Sequence, residues 1–317
     1  MRVILLGTGS PITAAGKLFK SSDGGRENAT TLIQAGRETL LFDAGRGVVN
    51  RLSAAGISGK QITAIFLTHF HSDHIVGLPD LWLTSRLHFA WGGRKTPLEI
   101  WGPPGTPALM TAIAQAFVLD MDERPHDIRL PLVGHELDSN KMVWRRNGVT
   151  VTAFIVEHGT GSIPAYGYRI DYEGHSVLLS GDTCYHDNVI KYGRGVDLLV
   201  HEVIVVRPRL LKERPDLLRI FNIHTSPEQA GEIFSLTKPK LAAYTHIIFF
   251  GGQAFSSPVP APTTRDLVRQ TRKTYKGRLA VGVDLMSFDI AERAVAVLKP
   301  PDPCRSGARR TTRRDRS

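Results

Sequence analysis

Short runs of β-branched and apolar residues recur along the chain in a pattern typical of strands. Twelve such runs stand at 3–6, 31–33, 40–42, 64–67, 98–101, 149–156, 166–170, 177–179, 198–200, 241–244, 278–281 and 293–298. Segments with helical apolar spacing interleave with them, at 47–55, 78–88, 107–117, 226–237 and 264–273. Because strands and helices mix throughout without an internal linker, we predict one layered α/β (α+β) domain over residues 1–299.

The composition is that of a globular protein. Of 317 residues, 42% are hydrophobic and 22% are charged. No uninterrupted apolar stretch approaches the length of about 18 residues that marks a membrane span, so we expect no membrane partner. The chain enters a strand-like run almost at once and contains only Cys184 and Cys304. We therefore expect a cytoplasmic protein without a signal peptide or a structural disulfide.

Charge is unevenly distributed along the chain. The formal net charge is +10, and residues 300–317 contribute six arginines against two aspartates. This segment is poor in apolar residues, so we predict a disordered, Arg-rich tail. The remaining body is also basic, which favours anionic partners such as a small anionic ester or a short RNA.

The densest group of candidate functional residues directly follows the fourth strand-like run. His69, His71, Asp73 and His74 occupy four of the seven positions from 68 to 74. Imidazole nitrogen and carboxylate oxygen suit zinc and related divalent ions. A sharp turn can aim the first two side chains at one ion and the last two at a second. Two ions about 3.5–4 Å apart would share a water and lower its pKa. The segment therefore predicts half of a two-metal hydrolytic site; the alternative is a polar loop in which Ser72 or Asp73 caps a helix.

Three further candidate ligands each follow a strand-like run. His158 comes after 149–156, Asp182 after 177–179, and His246 after 241–244. Taken singly, each is equally well explained as a hydrogen-bonded loop residue. Together they complete two metal sites at one rim of the fold, where loops from rigid strands converge.

These motifs resemble those of metallo-β-lactamase-fold hydrolases. The shared features are His-x-His-x-Asp-His at 69–74, His158, Gly-Asp-Thr at 181–183, His246, Gly-Thr-Gly-Ser at 7–10 and Leu-Phe-Asp-Ala-Gly at 41–45, over roughly residues 1–290. The resemblance implies a four-layer αβ/βα sandwich and a homodimer. It also implies a first ion held by His69, His71 and His158, a second held by Asp73, His74 and His246, and Asp182 as the bridge.

The resemblance leaves the metal and the surrounding residues partly open. Two zinc ions are expected, although manganese and iron also accept this nitrogen and oxygen set. Asp43 is expected to hydrogen-bond the histidine loop from behind. The substrate pocket is expected to draw on Phe70, Trp82, His186, Phe221 and the apolar segment 247–252. The alternative for the apolar segment is that it belongs to the core.

Two positions are similar to motifs of the ribonuclease Z group within this fold. They are Glu202, preceded by His201, and His224, followed by Thr-Ser. The resemblance implies that Glu202 orients His224 as a general acid for the leaving group, so Asp73, Glu202 and His224 are the predicted catalytic residues. The alternative is that Glu202 and His224 only cap a helix or satisfy buried backbone. Class III arylsulfatases and cyclic-nucleotide phosphodiesterases share much of this pattern.

One feature departs from the tRNA-processing enzymes of that group. Those enzymes carry a long Gly- and Pro-rich arm that grips tRNA, and the 24 positions from His158 to Asp182 leave no space for it. We therefore predict a two-metal phosphodiesterase that is ribonuclease Z-like but lacks the arm. The alternatives are an arylsulfatase, a lactone or β-lactam hydrolase of the same fold, and a nucleic-acid-binding protein with a vestigial metal site.

Overall fold

The computed structural model describes residues 1–11, 26–87, 91–124, 130–252, 256–291, 294–298 and 300. The predicted Arg-rich tail lies outside them, apart from Pro300. The strands are β1 Arg2–Gly7, β2 Thr30–Ala35, β3 Glu38–Phe42, β4 Ala64–Phe66, β5 Leu98–Gly102, β6 Leu132–Glu136, β7 Lys141–Arg146, β8 Val149–Val156, β9 Ala165–Tyr172, β10 His175–Leu179, β11 Leu198–Val206, β12 Leu241–Phe250, β13 Leu279–Val281, β14 Met286–Ala291 and β15 Ala294–Leu298. The α-helices are α1 Val48–Ala54, α2 Ser72–Ile75, α3 Leu78–Arg86, α4 Thr106–Ala116, α5 Val118–Glu123, α6 Asp187–Gly193, α7 Pro208–Glu213, α8 Leu218–Phe221, α9 Pro227–Thr237 and α10 Thr264–Thr271.

These strands form two mixed sheets. One has the order β15-β14-β1-β2-β3-β4-β5-β6, and the other has the order β13-β12-β11-β10-β9-β8-β7. In the first sheet β3, β4, β5 and β6 run parallel, and in the second β10, β11, β12 and β13 do so. Parallel strands end at the same edge of a sheet, so each sheet contributes a set of strand ends to one rim.

A shared apolar core joins the inner faces of the two sheets. Phe42 and Phe66 of the first sheet pack against Tyr168 of the second, with ring centroids 5.3 and 5.7 Å apart. The outer face of the first sheet packs against α1, α3 and α4, and that of the second against α6, α9 and α10. This is the helix–sheet–sheet–helix arrangement of a four-layer αβ/βα sandwich, which confirms the expected fold class.

The twelve strands predicted from sequence are all present, and the last of them, β15, begins at Ala294. The chain pattern did not indicate β6, β7 or β14, nor the short helices α2, α5, α6, α7 and α8. β7 (Lys-Met-Val-Trp-Arg-Arg) is an edge strand with both ends exposed, so it lacks a buried apolar run. Strands β11 and β12 extend six residues beyond their predicted ends. No helix within the described residues is long and apolar enough to cross a membrane.

Candidate metal centre

The predicted ligands lie at the rim where both sheets end. His69, His71, Asp73 and His74 follow β4, while His158 follows β8 and Asp182 follows β10. His246 instead lies inside β12. All of these side chains except His71 are buried, with exposed fractions of 6% or less. The structure therefore brings together every residue of the predicted ligand set.

The histidine loop is held from behind by Asp43. One oxygen of this carboxylate accepts the backbone N–H of Thr68 at 2.8 Å, and the other accepts Nδ1–H of His74, also at 2.8 Å. Thr68 Oγ1 donates to the same carboxylate and lies 3.0 Å from Nδ1 of His69. These contacts agree with the supporting role expected for Asp43, and they orient the Nε2 atoms of His69 and His74 away from it.

Helix α2 carries Asp73 and His74 as one short turn. Its N-cap residue is His71, and the described residues provide no side-chain cap for it. Ser72 and Asp73 therefore do not act as the capping residues that the alternative interpretation of this loop required.

A β-bulge places His246. His201 pairs with Tyr244 and Val203 pairs with Ile247, so two residues of β12 oppose Glu202 alone. His246 adopts a left-handed backbone conformation with φ of 42°. A bulge re-aims the side chain of the extra residue, and such conformations cluster at functional sites. The bulge explains how a ligand can lie within a strand rather than after it.

The first cluster joins three imidazoles. Nε2 of His158 lies 3.1 Å from Nδ1 of His71, and the ligand atoms of His69, His71 and His158 all lie within 4.8 Å of one another. Oδ2 of Asp182 is 3.9 Å from Nε2 of His69 and also 3.9 Å from Nε2 of His158. The four side chains thus converge on one point.

The second cluster uses the same carboxylate oxygen. Oδ2 of Asp182 lies 3.3 Å from Nε2 of His74 and 3.2 Å from Nε2 of His246. Oδ2 of Asp73 lies 3.5 and 3.2 Å from those two nitrogens. One oxygen atom therefore borders both clusters.

The chemistry and spacing of these atoms fit divalent metal ions. Zinc bonds to nitrogen and oxygen of about 2.0–2.1 Å correspond to tetrahedral edges of about 3.3 Å, close to the separations observed. Nε2 of His69 and Nε2 of His74 are buried and have no hydrogen-bond partner among the described residues. Buried polar atoms are normally paired, and a metal ion would satisfy both.

The electrostatics of the two clusters differ. Burial lowers the pKa of His71 and of His158, and burial together with the neighbouring His74 holds the pKa of His69 well below its usual value. Burial also acts to lower the pKa of His74, but the carboxylates of Asp182 and Asp43 outweigh it and raise that pKa well above the ordinary value. The surroundings of the first cluster thus favour neutral imidazoles, the form that binds metal, whereas those of His74 favour its protonated form in the absence of a metal.

Glu202 and His224 form a buried pair beside the clusters. Nδ1–H of His224 donates to Oε2 of Glu202 at 3.2 Å, and the backbone N–H of Thr225 donates to Oε1 at 2.7 Å. Glu202 therefore satisfies buried backbone as well as orienting the imidazole. The His224 ring lies between those of His158 and His246, with centroids 4.9 and 5.6 Å away. Burial lowers the pKa of His224, but the Glu202 carboxylate outweighs it and the net pKa is raised.

Some supporting contacts were not expected from the sequence. The carbonyl of Ile223 accepts Nδ1–H of His158 at 2.9 Å, which orients Nε2 of that ring toward the first cluster. Thr68 links Asp43 to His69, as described above. A backbone carbonyl leaves no residue-type signal, and Thr68 is recognisable only as the residue that precedes the histidines.

The proposed pocket residues divide between core and rim. Trp82 and Phe250 are buried at 2% and 1% exposure and pack in the apolar cores. This burial argues against Trp82 as a pocket residue and favours the core alternative for the segment that contains Phe250. Nδ1 of His186 accepts the backbone N–H of Asn188 as the N-cap of α6. Phe70 and Phe221 are partly exposed.

The stretch between His158 and Asp182 is fully described. It contains a short loop, β9, a turn at Glu173 and Gly174, and β10. No additional arm is present within this stretch, as its length predicted.

Comparison with known proteins gives consistent matches. Residues 38–247 match the family model described as a β-lactamase superfamily domain. The chain is 33% identical over 302 residues to ribonuclease Z of Mycobacterium bovis (strain BCG / Pasteur 1173P2), covering 92% of this chain and 99% of that protein. It is 37% identical over 255 residues to ribonuclease Z of Mycolicibacterium gilvum (strain PYR-GCK), covering 78% and 84%. Among solved structures, the short form of human tRNase Z superposes with a TM-score of 0.65 at 24% identity, covering 92% of this chain and all of that one.

Proposed function

Since the chain belongs to the β-lactamase superfamily and, within it, to the ribonuclease Z family of metal-dependent hydrolases, we propose that it is a two-metal phosphodiesterase acting on short RNA or another small phosphodiester. One observation carries this proposal. Oδ2 of Asp182 borders both ligand clusters, and the paired His224 lies against both of them.

The ligand assignment is part of the proposal. His69, His71 and His158 would hold one ion, Asp73, His74 and His246 the other, and Asp182 would bridge the two. The predominance of imidazole favours zinc over the hard, oxygen-preferring cations. When bound, two such ions supply an activated water at neutral pH and stabilise the negative charge that develops on the phosphoryl oxygens.

His224 is proposed to protonate the departing oxygen. Its Nδ1 is held by Glu202, so Nε2 is the nitrogen free to donate a proton to the substrate. Since Glu202 also accepts the N–H of Thr225, it is anchored at both oxygens and can hold the imidazole in one orientation. Asp73 would act in the reaction as a ligand of the second ion, where its carboxylate and that of Asp182 approach His246.

The substrate class follows from what surrounds the site. The short stretch between His158 and Asp182 offers no arm to hold the body of a tRNA, and the net charge of +10 favours an anionic substrate. We therefore propose a short RNA or a small phosphodiester in place of a whole folded tRNA. A cytoplasmic location, supported by the content of only two cysteines, and a homodimer implied by the family are further parts of the proposal.

The deciding experiment compares two substrates that release the same chromophore. The kcat/KM of metal-loaded protein is measured for bis(p-nitrophenyl) phosphate and for p-nitrophenyl sulfate at one pH, with Asp182→Ala as the background control. We expect a strong preference for the phosphodiester. Preference for the sulfate would identify an arylsulfatase, and inactivity on both would point to a lactone or another carbon-centred ester.

A further inference from the structure

The Gly-Thr-Gly-Ser motif at residues 7–10 follows β1 and is not used by the proposed reaction. A Cβ atom at Gly7 would lie 2.0 Å from the backbone oxygen of Asn28, and one at Gly9 would lie 2.9 Å from the backbone oxygens of Arg26 and Glu27. The glycines therefore allow backbone to pack directly against backbone. Thr8, between them, is fully buried.

Asp284 anchors this motif. It lies in the turn between β13 and β14, where the chain crosses from one sheet to the other, and its side chain is 9% exposed. Oδ1 accepts both the backbone N–H of Thr8 at 3.0 Å and its hydroxyl at 2.8 Å. Oδ2 accepts the backbone N–H of Glu27 at 2.8 Å and lies 3.1 Å from a guanidinium nitrogen of Arg51. A single carboxylate thus connects the end of β1, the segment that precedes β2, and the middle of α1.

The motif in turn contacts the bulge that carries His246. The carbonyl oxygen of Thr8 accepts the backbone N–H of Ile247 at 2.9 Å. At this point the register between β12 and β11 is interrupted, and the amide of Ile247 bonds to the motif. His246, with φ of 42°, directly precedes this bond. A left-handed, non-glycine residue persists only where its surroundings hold it.

We propose that Asp284 is a positioning residue for His246. It fixes Thr8, the carbonyl of Thr8 holds the amide of Ile247, and this bond keeps the bulge in the conformation that aims His246 at Asp73 and Asp182. The Gly-Thr-Gly-Ser motif is then a structural support for the second cluster and not a phosphate-binding loop. The inference rests on the two-metal assignment made above.

The test uses Asp284→Ala with Asp197→Ala as the matched control. The Asp197 side chain is 5% exposed, against 9% for Asp284, and it accepts the N–H of Ser176 and the ammonium of Lys240. It directly precedes β11, at the opposite end of the parallel strands from the metal centre. In metal-free protein, we expect Asp284→Ala to speed hydrogen exchange of the Ile247 amide by roughly tenfold or more, and Asp197→Ala to leave it unchanged. In zinc titrations, Asp284→Ala should lower the affinity of the second site for zinc by about 10–100-fold and that of the first site by much less.

A gentler pair of variants tests the same link without removing a charge. Thr8→Val keeps the shape and the carbonyl but loses the hydroxyl, which donates to Asp284 and accepts from the guanidinium of Arg26. Thr8→Ser keeps both bonds. We expect Thr8→Val to reproduce the faster Ile247 exchange and the selective loss of the second ion, and Thr8→Ser to behave as the unaltered protein. This pair decides the question even if Asp284→Ala does not fold.

The outcomes separate this inference from the proposed function. If the unaltered protein binds two ions while Asp284→Ala and Thr8→Val bind both with unchanged affinity, Asp284 does not position His246. Equal weakening of both ions by Thr8→Val and by Asp197→Ala would show a general effect of stability and would also overturn it. If the unaltered protein binds only one ion, the two-metal assignment itself fails, whereas faster Ile247 exchange in Thr8→Val would still support the structural link.

Discussion

The two ligand clusters share Asp182 but are supported in different ways. In the first, burial lowers the pKa of the imidazoles. The outer nitrogens of His69 and His158 meet uncharged partners, the hydroxyl of Thr68 and the carbonyl of Ile223. In the second, Nδ1 of His74 meets the carboxylate of Asp43, and His246 depends on a strained bulge. The second cluster is thus more anionic and depends more on distant parts of the chain. The difference teaches that the two sites can be perturbed separately, although one oxygen atom connects them.

The largest expected effect comes from removing the Asp182 carboxylate, which borders both clusters. Asp182→Ala should lose both metals and activity together. The reason is that Oδ2 of Asp182 lies within 3.9 Å of nitrogen ligand atoms in both clusters. Elemental analysis after dialysis measures the metals, and Asp171→Ala, which alters an exposed ion pair with Arg169, is the control. Two metals per chain retained by Asp182→Ala would remove this residue from the site and would leave the two clusters unconnected.

His224→Ala tests a residue that belongs to neither cluster. Both metals should remain, because each proposed ligand set is complete without His224, although a ring nitrogen of His224 also lies within 4.8 Å of the ligand atoms of His158 and Asp182. General acid catalysis contributes about 10²–10⁴-fold, so kcat should fall by that order for a substrate with a poor alcohol leaving group, such as a ribonucleoside. The loss should be far smaller for a nitrophenolate leaving group, which needs no proton. Equal losses on the two substrates would argue against the general-acid role.

Asp43→Asn should separate the two clusters. The amide keeps one acceptor for Thr68 but replaces the carboxylate oxygen that receives Nδ1–H of His74. Loss of such a partner lowers metal affinity by about 10–100-fold. We therefore expect the affinity of the second cluster for its ion to fall by that factor and the affinity of the first to change little. Calorimetric titration of metal-free protein resolves the two steps. Parallel weakening of both ions would mean that Asp43 acts mainly through the backbone of Thr68.

Gly181→Ala should lower the metal affinity of both clusters together, by roughly tenfold. This is the smallest of the four expected effects. Gly181 has φ of 62°, and a Cβ atom there would lie 2.4 Å from the backbone oxygen of Tyr166, so the neighbouring Asp182 must shift. Gly174→Ala is the matched control, because its φ of 77° is similarly positive but its Cβ would meet nothing within 4 Å. Both variants should lose some stability in thermal unfolding, and only Gly181→Ala should lose metal. Selective loss of one ion would show that Asp182 serves the clusters independently.

The sequence was informative wherever local chemistry sets the outcome. Buried strands need continuous apolar runs, so most of them could be located from the sequence, although β11 and β12 run six residues past their predicted ends. The edge strand β7 was not predicted, because both of its ends are exposed and it has no buried apolar run. The metal-ligating residue types after β4, β8 and β10 could likewise be recognised, because ligands cluster where strands end. The Glu202 and His224 pair was recognisable only through its likeness to a known group.

By itself, the sequence therefore determined the layered α/β class, the choice of a metal centre and the residues available to build it. Only the tertiary structure decided that Oδ2 of Asp182 borders both clusters and that His246 lies in a bulge within β12. It also decided that Asp43 contacts His74 and that the carbonyl of Thr8 accepts the amide of Ile247. The physical reason is that residue type is set locally in the chain, whereas bulges, shared oxygen atoms and distant acceptors arise from pairing between segments far apart in sequence, such as Thr8 and Asp284, which are 276 residues apart.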